Sequence, residues 1–136
     1  MICYYKVKPG KQIFRGFQGF FKKLKPLKEN AKALRKLIAD GKHNIYILSS
    51  SPNEAADGDK LTWLRVHKIK VADGNIIFCR NGDIKRKFMK TADGILFDDY
   101  GKNLREWMDG TVERNMGYKV KADGTLKNGL ELFGLI

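Results

Sequence analysis

Three short apolar runs set the frame of this chain: Asn44-Ile45-Tyr46-Ile47-Leu48, Asn75-Ile76-Ile77-Phe78-Cys79 and Gly94-Ile95-Leu96-Phe97. Each is too short for a buried helix and is bounded by polar or turn-forming residues, so each reads as a buried strand. Between them lie segments with helical spacing. Leu27, Ala31, Leu34 and Ile38 fall on one face, with Gly41 as a stop. A second helix is expected from Asn53 or Glu54 to His67, with Leu61 and Leu64 inward and Gly58 loosening its first turn. A third, Lys102 to Met108, carries Leu104 and Met108. From about residue 111 onward the pattern suggests one or two short strands with turns. Strands alternating with helices imply an α/β chain: a three-layer, mostly parallel sheet. Ala-Asp-Gly recurs at 39, 56, 72, 92 and 122, but its irregular spacing marks turns and helix ends rather than a repeat array.

In parallel α/β sheets the chemistry gathers at the carboxyl ends of strands. The first run ends in Ser49, Ser50 and Ser51, whose hydroxyls, with the N–H groups of a following helix, suit an anion and equally suit an ordinary N-cap turn. The second is followed by CRNGDIKRKFMK, where Lys85 or Lys87 can neutralise a phosphoryl group as a point charge. The third ends in Asp98-Asp99. Adjacent carboxylates repel, and burying one without a partner costs several kcal/mol, roughly. A hard cation such as Mg²⁺, held by one or two carboxylates plus waters, resolves that conflict. Tyr100 follows the pair and serves as either a pocket wall or a packing residue.

Composition narrows the field further. The 27 Lys and Arg against 15 Asp and Glu give a net charge of +12, an attraction for phosphates of every kind. Most of these lysines belong on solvated helix faces. No apolar run is long enough to span a bilayer, and the N-terminus lacks the pattern of a secretory signal. Cys3 and Cys79 show no ligand spacing and read as reduced thiols, which points to the cytoplasm. His43 and His67 have no ligand or triad spacing, and no P-loop or dinucleotide fingerprint is present. RGFQGFFKK places a Gly-x-x-Gly among basic and aromatic residues, a feature of some RNA-binding loops, but without the strand order such a domain needs.

Hydroxyl, lysine and acidic pair, in that order on successive strand ends, resemble the motifs of the haloacid-dehalogenase-like (HAD) phosphatases. The closer likeness is to the cytosolic C-type 5′(3′)-deoxyribonucleotidases. IYILSSSPN is similar to their second motif, and GDKLTWL to the Lys-x-x-Trp-Leu helix after it. GDIKRK sits where their third-motif lysine falls, and ILFDDYGKNLREW resembles the fourth motif with its trailing Asn. GFFKKLKPL is similar to the segment that leaves the cap and enters the first core helix. The likeness covers approximately residues 19 to 110.

The resemblance implies Mg²⁺-dependent hydrolysis of nucleoside monophosphates through a phospho-aspartate on a HAD-like, Rossmannoid core. Ser49, with Ser50 beside it, would donate to the substrate phosphate. Lys85, with Lys87 as the alternative, would balance its charge. Asp98 and Asp99 would bind Mg²⁺, and Asn103 would support the acidic loop. Residues 1–26 would be a remnant of cap or linker, and 27–136 the core. The family's first motif, a central strand ending in Asp-x-Asp, has no counterpart. No Asp or Glu precedes Glu29, and Asp57-Gly58-Asp59 follows the second motif. The expected core therefore lacks or replaces that central strand, and the chain reads as truncated and inactive alone. The alternative is a non-catalytic nucleotide- or nucleic-acid-binding protein. Nucleic acid is the less favoured partner, and a membrane is not expected. The sequence does not specify an oligomeric state.

Overall fold

A computed structural model describes residues 25–80, 94–108 and 116–136 of the chain. The first helix, α1 (Lys28–Asp40), follows Leu27, and Gly41 at φ 66° closes it by returning its N–H to the Ile38 carbonyl. That left-handed conformation is cheap only for glycine. The apolar face is rotated slightly from its expected centre: Ala31, Leu34 and Leu37 are buried, while Ile38 sits at the margin of the core.

Strand β1 (Ile47–Ser51) starts and ends later than its apolar run. The three serines expected in the turn are strand residues, because pairing with β2 (Ile76–Arg80) runs in register from Ile47–Ile76 to Ser51–Arg80. The intervening helix α2 (Glu54–Val66) is capped by the Asn53 side chain, which accepts from the Ala56 N–H at 2.9 Å. It runs through Gly58 without a break. Its inward residues are Trp63 and Leu64, and Leu61, expected inside, is exposed. The indole supplies more buried area than the leucine two residues before it, and so it sets which face turns inward.

A short 3-10 turn, Asp73–Asn75, leads into β2. Further on, β3 (Ile95–Asp98) passes into α3 (Gly101–Met108), where Leu104 and Trp107 are buried and Met108 is exposed. Strand β4 (Met116–Lys119) pairs with β3 in parallel, from Ile95–Met116 to Asp98–Lys119. The final segment, expected as strand and turn, instead forms helix α4 (Thr125–Leu132), with Leu126 and Leu130 buried.

The fold is thus mixed α/β with short parallel strands, as expected. Among the described residues the strands form two parallel pairs, β1–β2 and β3–β4, in place of one continuous sheet. Both pairs feed the same two apolar clusters. Ile47, Ile95 and Phe97 join residues of α1, α2 and α4. Leu48, Leu96 and Cys79 join Leu104 and Trp107 of α3. Asn30, buried on α1, ties the two ends of this core together. Its side chain accepts from the Gly124 and Leu126 N–H groups and donates to the Ala122 carbonyl, at 2.9 to 3.1 Å. No helix among the described residues is long and apolar enough to cross a membrane.

Candidate functional site

Two strand ends carry the chemistry. At the end of β1 the side chains alternate, as the pleat requires. Ser49 is buried, and its Oγ accepts a hydrogen bond from Lys60 Nζ at 2.9 Å. The same ammonium donates to the Ser50 carbonyl. Lys60 sits on α2, only 2% exposed, and its charge is held at the carboxyl end of β1. Ser50 turns the other way, with its Oγ 3.5 Å from Cys79 Sγ. Ser51 meets a different group: Arg80 donates to its Oγ at 3.0 Å, and its hydroxyl lies against Asp57 and the Asn53 carbonyl. Arg80 also grips both Asp57 oxygens, at 3.0 and 3.1 Å. This two-pronged pair fastens the first turn of α2 to the end of β2.

At the end of β3, Asp98 is fully buried. Its Oδ1 accepts from the Tyr100 N–H at 2.9 Å and its Oδ2 from Asn103 Nδ2 at 3.1 Å. The carboxylate thereby satisfies a backbone donor at the start of α3 and is oriented from both sides. Asp99 is half-buried and Tyr100 is exposed beside it. Asp98 stands opposite Lys119 of β4 in register.

Of the residues expected at the site, Asp98 and Asn103 are in direct contact. Ser49 and Ser50 are linked through Lys60. Lys85 and Lys87 lie outside the described residues, as do the basic Gly-x-x-Gly segment and Cys3. Cys79 is a free, buried thiol. Lys60 is the residue that reading strand ends alone overlooks, because it belongs to the helix one step further along. The available signal was its position in GDKLTWL, three residues before Trp63: the buried indole turns that side of α2 inward and carries Lys60 with it.

The acidic pair fits a hard cation by donor type. Carboxylate oxygens are the ligands such an ion prefers, and Asp98 presents two, oriented by the Tyr100 N–H and the Asn103 amide. Asp99 adds a further carboxylate, and the pair would hold such an ion together with water or phosphate oxygen. Among the described residues no group of three or more His, Cys, Asp or Glu side chains gathers as a ready-made metal cage.

Residues 6–123 match the family described as 5′ nucleotidase, deoxy (Pyrimidine), cytosolic type C protein. No curated protein matches the chain. No solved structure does either.

Proposed function

Because this chain belongs to the cytosolic type C 5′-nucleotidase family, we propose that its strand ends form the phosphate- and cation-binding side of a nucleoside monophosphate phosphatase site. The observation that carries this reading is the Lys60–Ser49 contact at the end of β1, a buried ammonium beside a hydroxyl. Such a pair suits a phosphoryl group, which needs both a positive charge and hydrogen-bond donors. Lys60 then supplies a charge-balancing ammonium from α2, beside the same role that the resemblance implies for Lys85 or Lys87. Ser49 or Ser50 donates to phosphate oxygen. Asp98 and Asp99 hold Mg²⁺, with Asn103 fixing the first of them.

Bound there, Mg²⁺ would neutralise charge on the transferring phosphoryl group. Equivalent strand positions support a shared site. Ile47 and Ile95 enter one apolar cluster, and Leu48 and Leu96 the other. Two residues on from these leucines the chain reaches Ser50 in β1 and Asp98 in β3.

What the sequence lacks is an Asp-x-Asp preceding the second motif, and no Asp or Glu occurs before Glu29. A phospho-aspartate route needs that nucleophile. The polypeptide on its own therefore binds phosphate monoesters and turns them over poorly. That observation favours the second reading, a nucleotide-binding chain without turnover. Phosphate release from a deoxynucleoside monophosphate by the purified chain separates the two. Family-scale turnover that disappears in Asp98→Asn overturns the inactive assignment. A folded sample that takes up neither Mg²⁺ nor nucleotide by calorimetry removes the site itself.

A further inference from the structure

The outer face of α1 carries a ridge of lysines without ion-pair partners. Lys28, Lys32 and Lys36 follow one another at intervals of four residues, and all three are exposed. At 3.6 residues per turn they lie within about 80° of one another, with neighbouring Cβ atoms roughly 6 Å apart. Among the described residues none of the three takes part in an ion pair. Glu29 and Asp40, the acids of α1, fall to one side of the ridge. The placement works against the helix itself. Like charges at i,i+4 repel, and Lys28 sets a cation in the first turn, beside the positive end of the helix dipole. The last turn, where a cation would be favoured, holds none. A polyanion laid along the ridge relieves both penalties.

We infer that this ridge is a docking surface for the phosphate backbone of a single-stranded nucleic acid. The inference makes no use of the strand-end site. Charge complementarity and spacing carry it: lysines at this pitch meet successive phosphates of one strand, on a chain whose net charge is +12. A single strand bends to follow the ridge, whereas a duplex holds its phosphates on a stiff curve. No aromatic residue stands on α1 to stack on a base, so the contact takes the backbone and not the sequence. A membrane surface fits less well, because an interfacial helix inserts its apolar face. Here that face is spent on the core, with Ala31, Leu34 and Leu37 buried.

Anisotropy of a short labelled homopolymer strand with the intact chain, over about 50 to 200 mM salt, tests this. The logarithm of the binding constant should fall linearly with that of the salt concentration. Each phosphate contact on a single strand contributes about 0.7 to the slope, so Lys28→Gln, Lys32→Gln and Lys36→Gln together should flatten it by about 2. Glutamine keeps helix propensity, and circular dichroism checks that the helices survive. Arg65→Gln, Lys68→Gln and Lys70→Gln together remove the same charge from exposed positions off the ridge, and should change the slope by less than half as much. An equal change overturns the inference, since the attraction then belongs to net charge alone. So does an unchanged slope in the ridge variant, tighter binding of a duplex than of the single strand, or binding to anionic vesicles that is lost with the same three lysines. If the triple variant does not fold, each single change on the ridge should remove about 0.7 from the slope, and three unchanged slopes overturn the assignment.

Discussion

Lys60 reaches back eleven residues from α2 to place its ammonium 2.9 Å from the Ser49 hydroxyl, in a position almost closed to water. A buried ammonium is tolerated only where oxygen atoms surround it, and here Ser49 Oγ and the Ser50 carbonyl are among those that do.

Lys60→Met keeps the length of the side chain and removes the charge. It leaves the Ser50 carbonyl without that donor, and the expected loss of stability is about 1–3 kcal/mol. Nucleotide or phosphate affinity should fall by roughly tenfold or more, the scale of one charge-assisted hydrogen bond. Calorimetric titration beside a urea melt separates these effects. A variant that binds phosphate as tightly as the parent would remove Lys60 from the site.

The two aspartates should behave differently. Asp98→Asn sets an amide NH₂ against either the Tyr100 N–H or the Asn103 NH₂, both of which donate to the carboxylate. A loss of about 1–3 kcal/mol is expected, together with weaker Mg²⁺ binding. Asp99→Asn, at a half-buried position, should weaken Mg²⁺ binding at a smaller cost in stability than the change at fully buried Asp98. Denaturant melts and Mg²⁺ titrations of both variants check the contrast, and equal destabilisation would contradict it.

Asn30→Ala deletes two acceptor contacts and one donor contact that bind α1 to the start of α4. With roughly 1 kcal/mol for each hydrogen bond, a fall of about 2–4 kcal/mol is expected in a urea melt. Asn30→Asp keeps both acceptor contacts but buries a negative charge and sets a carboxylate oxygen against the Ala122 carbonyl, so it should destabilise as well.

Two glycine-to-alanine changes should have opposite signs. At Gly58, inside α2, a new methyl group meets nothing within 4 Å. Gly58→Ala should therefore stabilise by about 0.5–1 kcal/mol through helix propensity. At Gly129, inside α4, the methyl carbon would lie 2.6 Å from the Tyr118 ring. Gly129→Ala should destabilise by about 1–3 kcal/mol, as overpacking outweighs the same propensity gain. Thermal melts of the two variants give the comparison.

Much of this architecture is legible in the sequence because it follows local rules. The α2 boundaries follow from Asn53 as a cap and His67 as an end, and the α1 stop follows from Gly41. The serine run was less readable, since strand length is fixed by a partner, and β2 continues to Arg80. Leu61 and Met108 mislead for a related reason: a neighbouring tryptophan, Trp63 or Trp107, takes the core position and turns each of them outward. Helix α4 was hidden by Gly129, which lowers helix propensity and is retained where Tyr118 packs against the helix backbone. At the site, Asn103 follows Asp98 by five residues, and its amide donates to that carboxylate. Lys60 did not surface because it is one lysine among many, and only burial distinguishes it.

The Asn30 side chain also bears on how the molecule assembles. Each strand pair is closed by residues near one another in the chain, β1 with β2 and β3 with β4. The amide of Asn30 joins positions 92 to 96 residues apart. Closing so long a loop is entropically demanding, so this latch belongs to a late step of folding, after the local units have formed. Weakening it should quicken unfolding far more than it slows folding.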